Sequence, residues 1–202
     1  RLAGRPIKPS PLYEVLKAKG AVFEEVYGFE RPRWFAKDGV AQQDHYSFRR
    51  TATDEMVAAE VKAVRERVGV MDVTAFTKVL VEGPDAYALL DRMTANRMPQ
   101  KVGSITLTHM LNQRGRVELE TTIVRMADDQ FYLVCAAFFE QRLLDHLATH
   151  RNKADVHVRA LSDSWGALSL NGPQSRNVLG AVTDARLDNA TFRWLSAQQI
   201  IV

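Results

Sequence analysis

The apolar positions of this chain change period several times, and each change predicts an element. Ser10 suits a helix N-cap with Pro11 at the first helical position, and Leu12, Tyr13, Val15 and Leu16 follow before Gly20 closes the helix. Phe29 to Arg50 mixes aromatics and charges without a period and reads as a long connecting loop. Thr53 then caps a second helix with Asp54 and Glu55 in its first turn, Val57, Val61, Val64 and Val68 as a buried stripe, and Gly69 at its end. After a short strand at Val79 to Val81, Gly83-Pro84 starts a helix that turns Ala86, Leu89, Leu90 and Met93 inward. A hairpin over 105–111 and 117–125, a strand from Phe131 to Cys135 and a helix from about Phe138 burying Leu143, Leu144 and Leu147 come next. A strand with Val156, Val158 and Ala160 inward follows.

The stretch Val79-Leu80-Val81-Glu82-Gly83-Pro84-Asp85-Ala86 has an echo in Leu168-Ser169-Leu170-Asn171-Gly172-Pro173-Gln174-Ser175, and Leu89-Leu90 and Val178-Leu179 fall at the same offset in each. Two copies of one strand–Gly-Pro–helix unit predict a duplicated α+β fold, with antiparallel sheets covered by helices on one face, rather than a doubly wound sheet.

Composition narrows the function classes. With 202 residues, 46% hydrophobic and 25% charged, the chain has the make-up of an ordinary globular protein with room for a core. The net charge of +3 is scattered, which argues against a nucleic-acid partner while leaving a polyanionic ligand compatible. The single Cys135, inside an apolar run, reads as a buried strand residue; it excludes an intramolecular disulfide and suits a reducing compartment. No apolar run has the length of a membrane span. The chain opens on Arg1 without Met and ends on Ile200-Ile201-Val202, which reads as the middle of a buried strand; this is expected of an excised fragment with an exposed apolar end.

The chemistry concentrates in Thr108 to Ile123. Asn112-Gln-Arg-Gly115 is turn chemistry between two strands. In the second strand Val117, Leu119, Thr121 and Ile123 point one way, and Glu118, Glu120, Thr122 and Val124 the other. Two carboxylates and a hydroxyl thus share a face, as either a solvated outer surface or a site.

The same stretch resembles the aminomethyltransferase family, the folate-binding T-protein of glycine cleavage, and is more similar still to the C-terminal folate domain of dimethylglycine and sarcosine dehydrogenases. Those sequences carry Tyr-Thr-x-Met-Leu-Asn-x-x-Gly-Gly followed by an Asp that meets the reactive nitrogen of tetrahydrofolate. Thr108, Met110, Leu111, Asn112 and Gly115 match, and Glu120 stands in the Asp position. Val70-Met71-Asp72-Val73-Thr74 resembles the family's Val-Gly-Leu-Phe-Asp-Val-Ser segment, and Val81-Glu82-Gly83-Pro84-Asp85-Ala86 its Val-x-Gly-Pro-Asp-Ala. Ser10-Pro11-Leu12-Tyr13 and Gly28-Phe29-Glu30-Arg31-Pro32 are similar to the dehydrogenase branch, where the segment joins a flavin part to the folate part.

The resemblance implies a division into residues 1–50, a linker from a flavin domain, and 51–202, the N-terminal part of a folate domain truncated at its C-terminus. It implies Glu120 as the catalytic carboxylate, with Leu107, Met110, Asn112, Thr122, Val134 and Ala136 as cofactor-binding positions and no metal. Tetrahydrofolate is the implied cofactor, with FAD in a separate N-terminal part of the same polypeptide. A small methylated amine is the implied substrate and the bacterial cytoplasm or mitochondrial matrix the implied location, with no nucleic-acid or membrane partner. Leu107 stands where the family has Tyr, and Glu120 where it has Asp. A stand-alone aminomethyltransferase and a non-catalytic folate-binding or structural relative therefore stay open. The 202-residue chain alone is expected to be inactive.

His146 and His150 lie four apart on a predicted helix without a third ligand at a supporting spacing. The Gly-Pro pairs are punctuation rather than phosphate loops. Trp34 and Phe35 are expected to be exposed on the linker and to dock on a neighbouring domain.

Overall fold

The computed structural model describes residues 2–44 and 46–202; Arg1 and His45 lie outside the described residues. In chain order the elements are α1 (Tyr13–Ala18), β1 (Ala21–Val26), β2 (Phe29–Phe35), α2 (Ala52–Glu66), β3 (Gly69–Asp72), β4 (Thr77–Glu82), α3 (Ala86–Met93), β5 (Ile105–Leu111), β6 (Val117–Ala127), β7 (Gln130–Cys135), α4 (Glu140–Arg151), β8 (His157–Ala160), β9 (Leu168–Asn171) and α5 (Ser175–Gly180). They fall into two compact units, one of residues 1–75 with 166–182 and the other of 76–165 with 183–202. Every ladder between these strands is antiparallel, and the α+β class expected from the sequence is the observed one.

In the first unit α1 starts at Tyr13, two residues later than an N-cap at Ser10 predicts. The Ser10 hydroxyl accepts the Leu12 N–H at 3.2 Å and donates to the Asp72 carboxylate, so Ser10 ties α1 to the end of β3. The expected loop from Phe29 is a strand: β2 pairs with β1 from Ala21–Phe35 to Val26–Phe29. Its pattern is hidden by a register shift at Val22/Phe23, which leaves Arg33 as an extra residue on β2, and by Glu30, a charge buried at 4% exposure. Arg5 makes that burial tolerable, its Nε donating to Glu30 Oε1 at 2.9 Å.

Trp34 is the second correction. It is 2% exposed, packs with Val22 and Met56, and donates from Nε1 to Asp44 at 3.2 Å, so it is a core residue of its own unit. The third is the stripe of α2. Thr51, not Thr53, is the N-cap, its N–H donating to the Asp54 carboxylate at 2.7 Å, and Met56 is the buried residue of the helix. Val57 and Val61 are exposed because the hairpin covers the Met56 side.

The second unit is a five-stranded sheet in the order β5-β6-β7-β4-β8. Its inner face sends Val79, Val81, Leu119, Ile123, Phe131 and Leu133 into one cluster with Leu89 and Leu90 of α3 and Leu143 and Leu147 of α4. All of these are at most 1% exposed, and each such side chain contributes about 1.5–3 kcal/mol of transfer free energy. Helices on one face, as the pattern predicts, follow from this shared cluster. Leu144 is only partly buried. Of the positions expected inward in the last strand of this unit, Val156 is buried and Val158 partly buried, but Ala160 is exposed, because β8 is the sheet edge. Residues 197–202 form no strand, and Ile201 and Val202 are exposed rather than buried.

The duplication is real and larger than the sequence echo. Gly83 and Gly172 have φ of 134° and 121°. A Cβ on Gly172 would stand 2.6 Å from the Arg67 carbonyl oxygen, and one on Gly83 closer still to that of Asp155. The same two carbonyls accept the N–H two residues after each glycine, Gln174 to Arg67 at 2.9 Å and Asp85 to Asp155 at 3.4 Å. Each carbonyl lies two residues before the strand that pairs beside the Gly-Pro strand, β3 against β9 and β8 against β4. A helix precedes that strand in both, α2 in one unit and α4 in the other. The repeated module is therefore helix–strand plus strand–Gly-Pro–helix.

Candidate functional site

The site candidates sit on the β5–β6–β7 part of the second unit. The turn works as its residues predict: the Asn112 N–H donates to the Arg116 carbonyl at 2.9 Å, and Asn112 Oδ1 accepts the N–H groups of Arg114 and Arg116 at 2.9 and 3.1 Å. Just beyond it the register shifts. Leu111 faces Val117 but Met110 faces Leu119, which leaves Glu118 as an extra residue on β6.

That bulge separates the two carboxylates that strict alternation places on one face. Glu118 Oε1 accepts from Asn112 Nδ2 at 2.9 Å, and Oε2 takes the Arg142 guanidinium from α4, with Nε at 2.8 Å. The Asn112 amide, then Arg142, hold the Glu118 carboxyl below the usual carboxylate range. Glu118 is thus a structural anchor between turn and helix, not an interchangeable neighbour of Glu120.

Glu120 stays on the outer face. It lies directly opposite His109, with Nε2 and Oε2 3.3 Å apart, and among the described residues His109 is its only polar partner. One step along the hairpin, a cross-strand row runs Leu107, Thr122, Val134 and Lys78. Leu107 is 52% exposed, Thr122 and Val134 are half-buried, and Lys78 is buried, with Nζ donating to the Phe76 carbonyl at 2.7 Å. The next row carries Val124, Tyr132 and Leu80, with Tyr132 against Trp165 at 5.7 Å between ring centroids; burial pushes the Tyr132 hydroxyl up to about 12. This outer face is half covered and apolar around one carboxylate, unlike a simple solvated surface.

The structure therefore brings together Glu120, Leu107, Thr122 and Val134. Asn112 is in the turn beyond them. Ala136 follows β7, its carbonyl accepting from the Thr77 hydroxyl at 3.3 Å. The Met110 side chain is fully buried on the opposite face, among the core residues, so it reaches this group only from beneath the sheet.

Residues 94–96 brace the outer edge of β5: the N–H groups of Ala95 and Asn96 donate to the His109 carbonyl at 2.9 Å and the Thr108 hydroxyl at 3.0 Å, and Asn96 Nδ2 donates to the Leu107 carbonyl at 3.0 Å. Sequence reasoning missed His109. A signal was present: continuing the pairing inward from Leu111–Val117 without a bulge would set apolar Met110 against Glu118 and Thr108 against Glu120. Only an extra residue restores matched faces.

Elsewhere, Cys135 is buried as expected, and its thiol is pushed up to about 11 by burial. His146 and His150 face each other at 4.3 Å between centroids, and His150 Nδ1 donates to the His146 carbonyl at 2.8 Å. Burial, then His150, pushes His146 down. No third metal donor joins them among the described residues.

Residues 12–202 match the GCVT N-terminal domain family. The chain belongs to this family. Within it, the chain is 38% identical to mouse mitochondrial dimethylglycine dehydrogenase over 201 residues, covering 98% of the chain and 23% of that protein. It is 30% identical to human mitochondrial sarcosine dehydrogenase over 230 residues, covering 95% of the chain and 25% of that protein. The chain thus spans about a quarter of the length of these curated relatives. The crystal structure of glycine cleavage system aminomethyltransferase T from Bartonella henselae superposes with a TM-score of 0.72 at 25% identity, over 87% of this chain and 44% of that one. The family resemblance read from the hairpin and Gly-Pro motifs is shown by these matches. In this member of the GCVT N-terminal family, Glu120 and the Leu107 row occupy the outer face of the motif hairpin.

Proposed function

We propose that this chain is the folate-binding, one-carbon-transfer part of a flavin-dependent N-methyl amino acid dehydrogenase of the dimethylglycine or sarcosine type. It would capture the formaldehyde equivalent on tetrahydrofolate. The observation that carries the reading is the single carboxylate, Glu120, beside a partly exposed, largely apolar row on the motif hairpin. Leu107, Thr122 and Val134 offer a flat, largely apolar strip to a planar heterocycle, and Glu120 Oε1 offers an acceptor at its end. These residues fit a pterin.

The chemistry supplied by bound tetrahydrofolate is an amine nucleophile for a one-carbon unit. Glu120 accepts the N–H of that amine, orients it, and stabilises the positive charge that develops beside the carboxylate. Leu107 and Val134 exclude water from the face on which the charge develops, which strengthens that contact. Asn112, Glu118 and Arg142 keep the turn and the start of β6 in the register that exposes Glu120.

Residues 1–50 are proposed to connect to a flavin-binding part of the same polypeptide that holds the FAD, and 51–202 to be the N-terminal portion of the folate domain. The relatives named mitochondrial support a matrix location, or the cytoplasm in a bacterium. A stand-alone aminomethyltransferase is the alternative within the same chemistry. A non-catalytic folate-binding relative is favoured by one observation: Leu107, exposed in the row, has no hydroxyl to offer a ligand.

Glu120→Gln in the polypeptide that carries this chain tests the reading. Loss of a preorganised charge contact costs about 2.7–4 kcal/mol in the transition state, so folate-dependent capture should fall roughly a hundred- to a thousandfold. Flavin reduction by the amine should be unchanged. Capture that survives the substitution intact would overturn the catalytic role and favour the non-catalytic relative.

A further inference from the structure

We propose that His109 is a positioning residue for Glu120, holding one carboxylate oxygen so that the other is presented to the ligand. This rests on the folate reading above and deepens it. A glutamate side chain on an open strand face has three rotatable bonds, and a half-exposed carboxylate samples many positions. Here the bulge at Glu118 brings His109 and Glu120 into one cross-strand pair, and Nε2 meets Oε2 at 3.3 Å.

The strand that carries His109 is held on both sides, by β6 on one edge and by the Ala95 N–H on its own carbonyl at 2.9 Å on the other. The imidazole therefore projects from a fixed backbone. Each carboxylate of the hairpin has its own cationic or N–H partner: Glu118 spends both oxygens on Asn112 and Arg142, whereas Glu120 spends only Oε2. Side chains that are 46% and 59% exposed form a contact of modest strength, enough to bias an orientation rather than to stabilise the fold.

The experiment uses the full polypeptide with tetrahydrofolate alone as titrant, followed by folate-dependent capture with substrate. His109→Phe, which keeps the ring without the N–H, should weaken tetrahydrofolate binding about threefold and slow capture about tenfold. His109→Gln places an amide N–H near the same point and should stay within about twofold of wild type. On the Glu120→Gln background, His109→Phe should add nothing further.

Wild-type behaviour of His109→Phe alongside a damaged Glu120→Gln overturns the positioning role and leaves the folate reading standing. If neither substitution moves binding or capture, the role of Glu120 fails and the positioning role with it; absence of tetrahydrofolate binding by the unsubstituted polypeptide overturns the folate reading itself. An equal further loss on the Glu120→Gln background shows that His109 acts independently of Glu120, which also overturns the inference. His109→Ala removes the ring without adding bulk, and must reproduce the loss if His109→Phe fails to fold.

Discussion

The two copies of the Gly-Pro module share a turn and differ in everything that covers it. In the second unit β4 is an inner strand, with β7 on one side and β8 on the other, and Leu89 and Leu90 of its helix are 1% and 0% exposed. In the first unit β9 pairs, among the described residues, only with β3, Leu168 is 57% exposed, and Val178, the counterpart of Leu89, is 40% exposed. A local backbone solution has been copied, while the hydrophobic core around it has not. Turn geometry is set by glycine and carbonyl contacts within the module, and burial is set by how many strands complete the sheet.

Core truncation should break the symmetry most. Leu90→Ala removes a fully buried side chain and should cost about 2–5 kcal/mol in urea unfolding, whereas Val178→Ala should stay within roughly 0.5 kcal/mol. Equal losses at the two sites would show that the first unit is as well packed as the second. The turns should show the opposite pattern. Gly83→Ala and Gly172→Ala each force a side chain into a positive-φ position against a carbonyl oxygen, and should each destabilise by about 1–3 kcal/mol. A neutral Gly172→Ala beside a damaging Gly83→Ala would sink the claim that the copies share one turn.

The smallest expected effect concerns the bulge of the β5–β6 hairpin, where Glu118 is held by Asn112 and Arg142. Asn112 and Arg142 hold Glu118 below its ordinary value of 4.5, so the native state favours the carboxylate. The resulting stabilisation is fully present above that value and is lost as pH falls through the lowered native one. Glu118→Gln should lower the urea midpoint at neutral pH, and its difference from wild type should shrink as pH drops below about 4.5. A pH-independent difference would place the stabilisation in packing rather than in charge.

Much of the second unit was legible in the sequence because its signals are local. The inward positions of α3, the hairpin turn at Asn112 to Gly115 and the buried Cys135 follow from period and turn chemistry alone. The first unit was harder to read. Glu30 breaks the alternation of β2 because its ion partner, Arg5, is 25 residues away, and Trp34 looks like a linker aromatic until Val22 and Met56 close over it. At the site, the resemblance singled out Glu120, Leu107, Thr122 and Val134, while strict alternation put Glu118 on the same face as Glu120.

By itself, then, the sequence determined the element types of the second unit, the duplicated Gly-Pro turns and the family, since each rests on residues close along the chain. Only the tertiary structure decided which face each carboxylate takes. A one-residue bulge depends on how two strands match their buried sides, and that match, together with Arg142 arriving from α4, turned Glu118 inward to an anchor and left Glu120 facing His109.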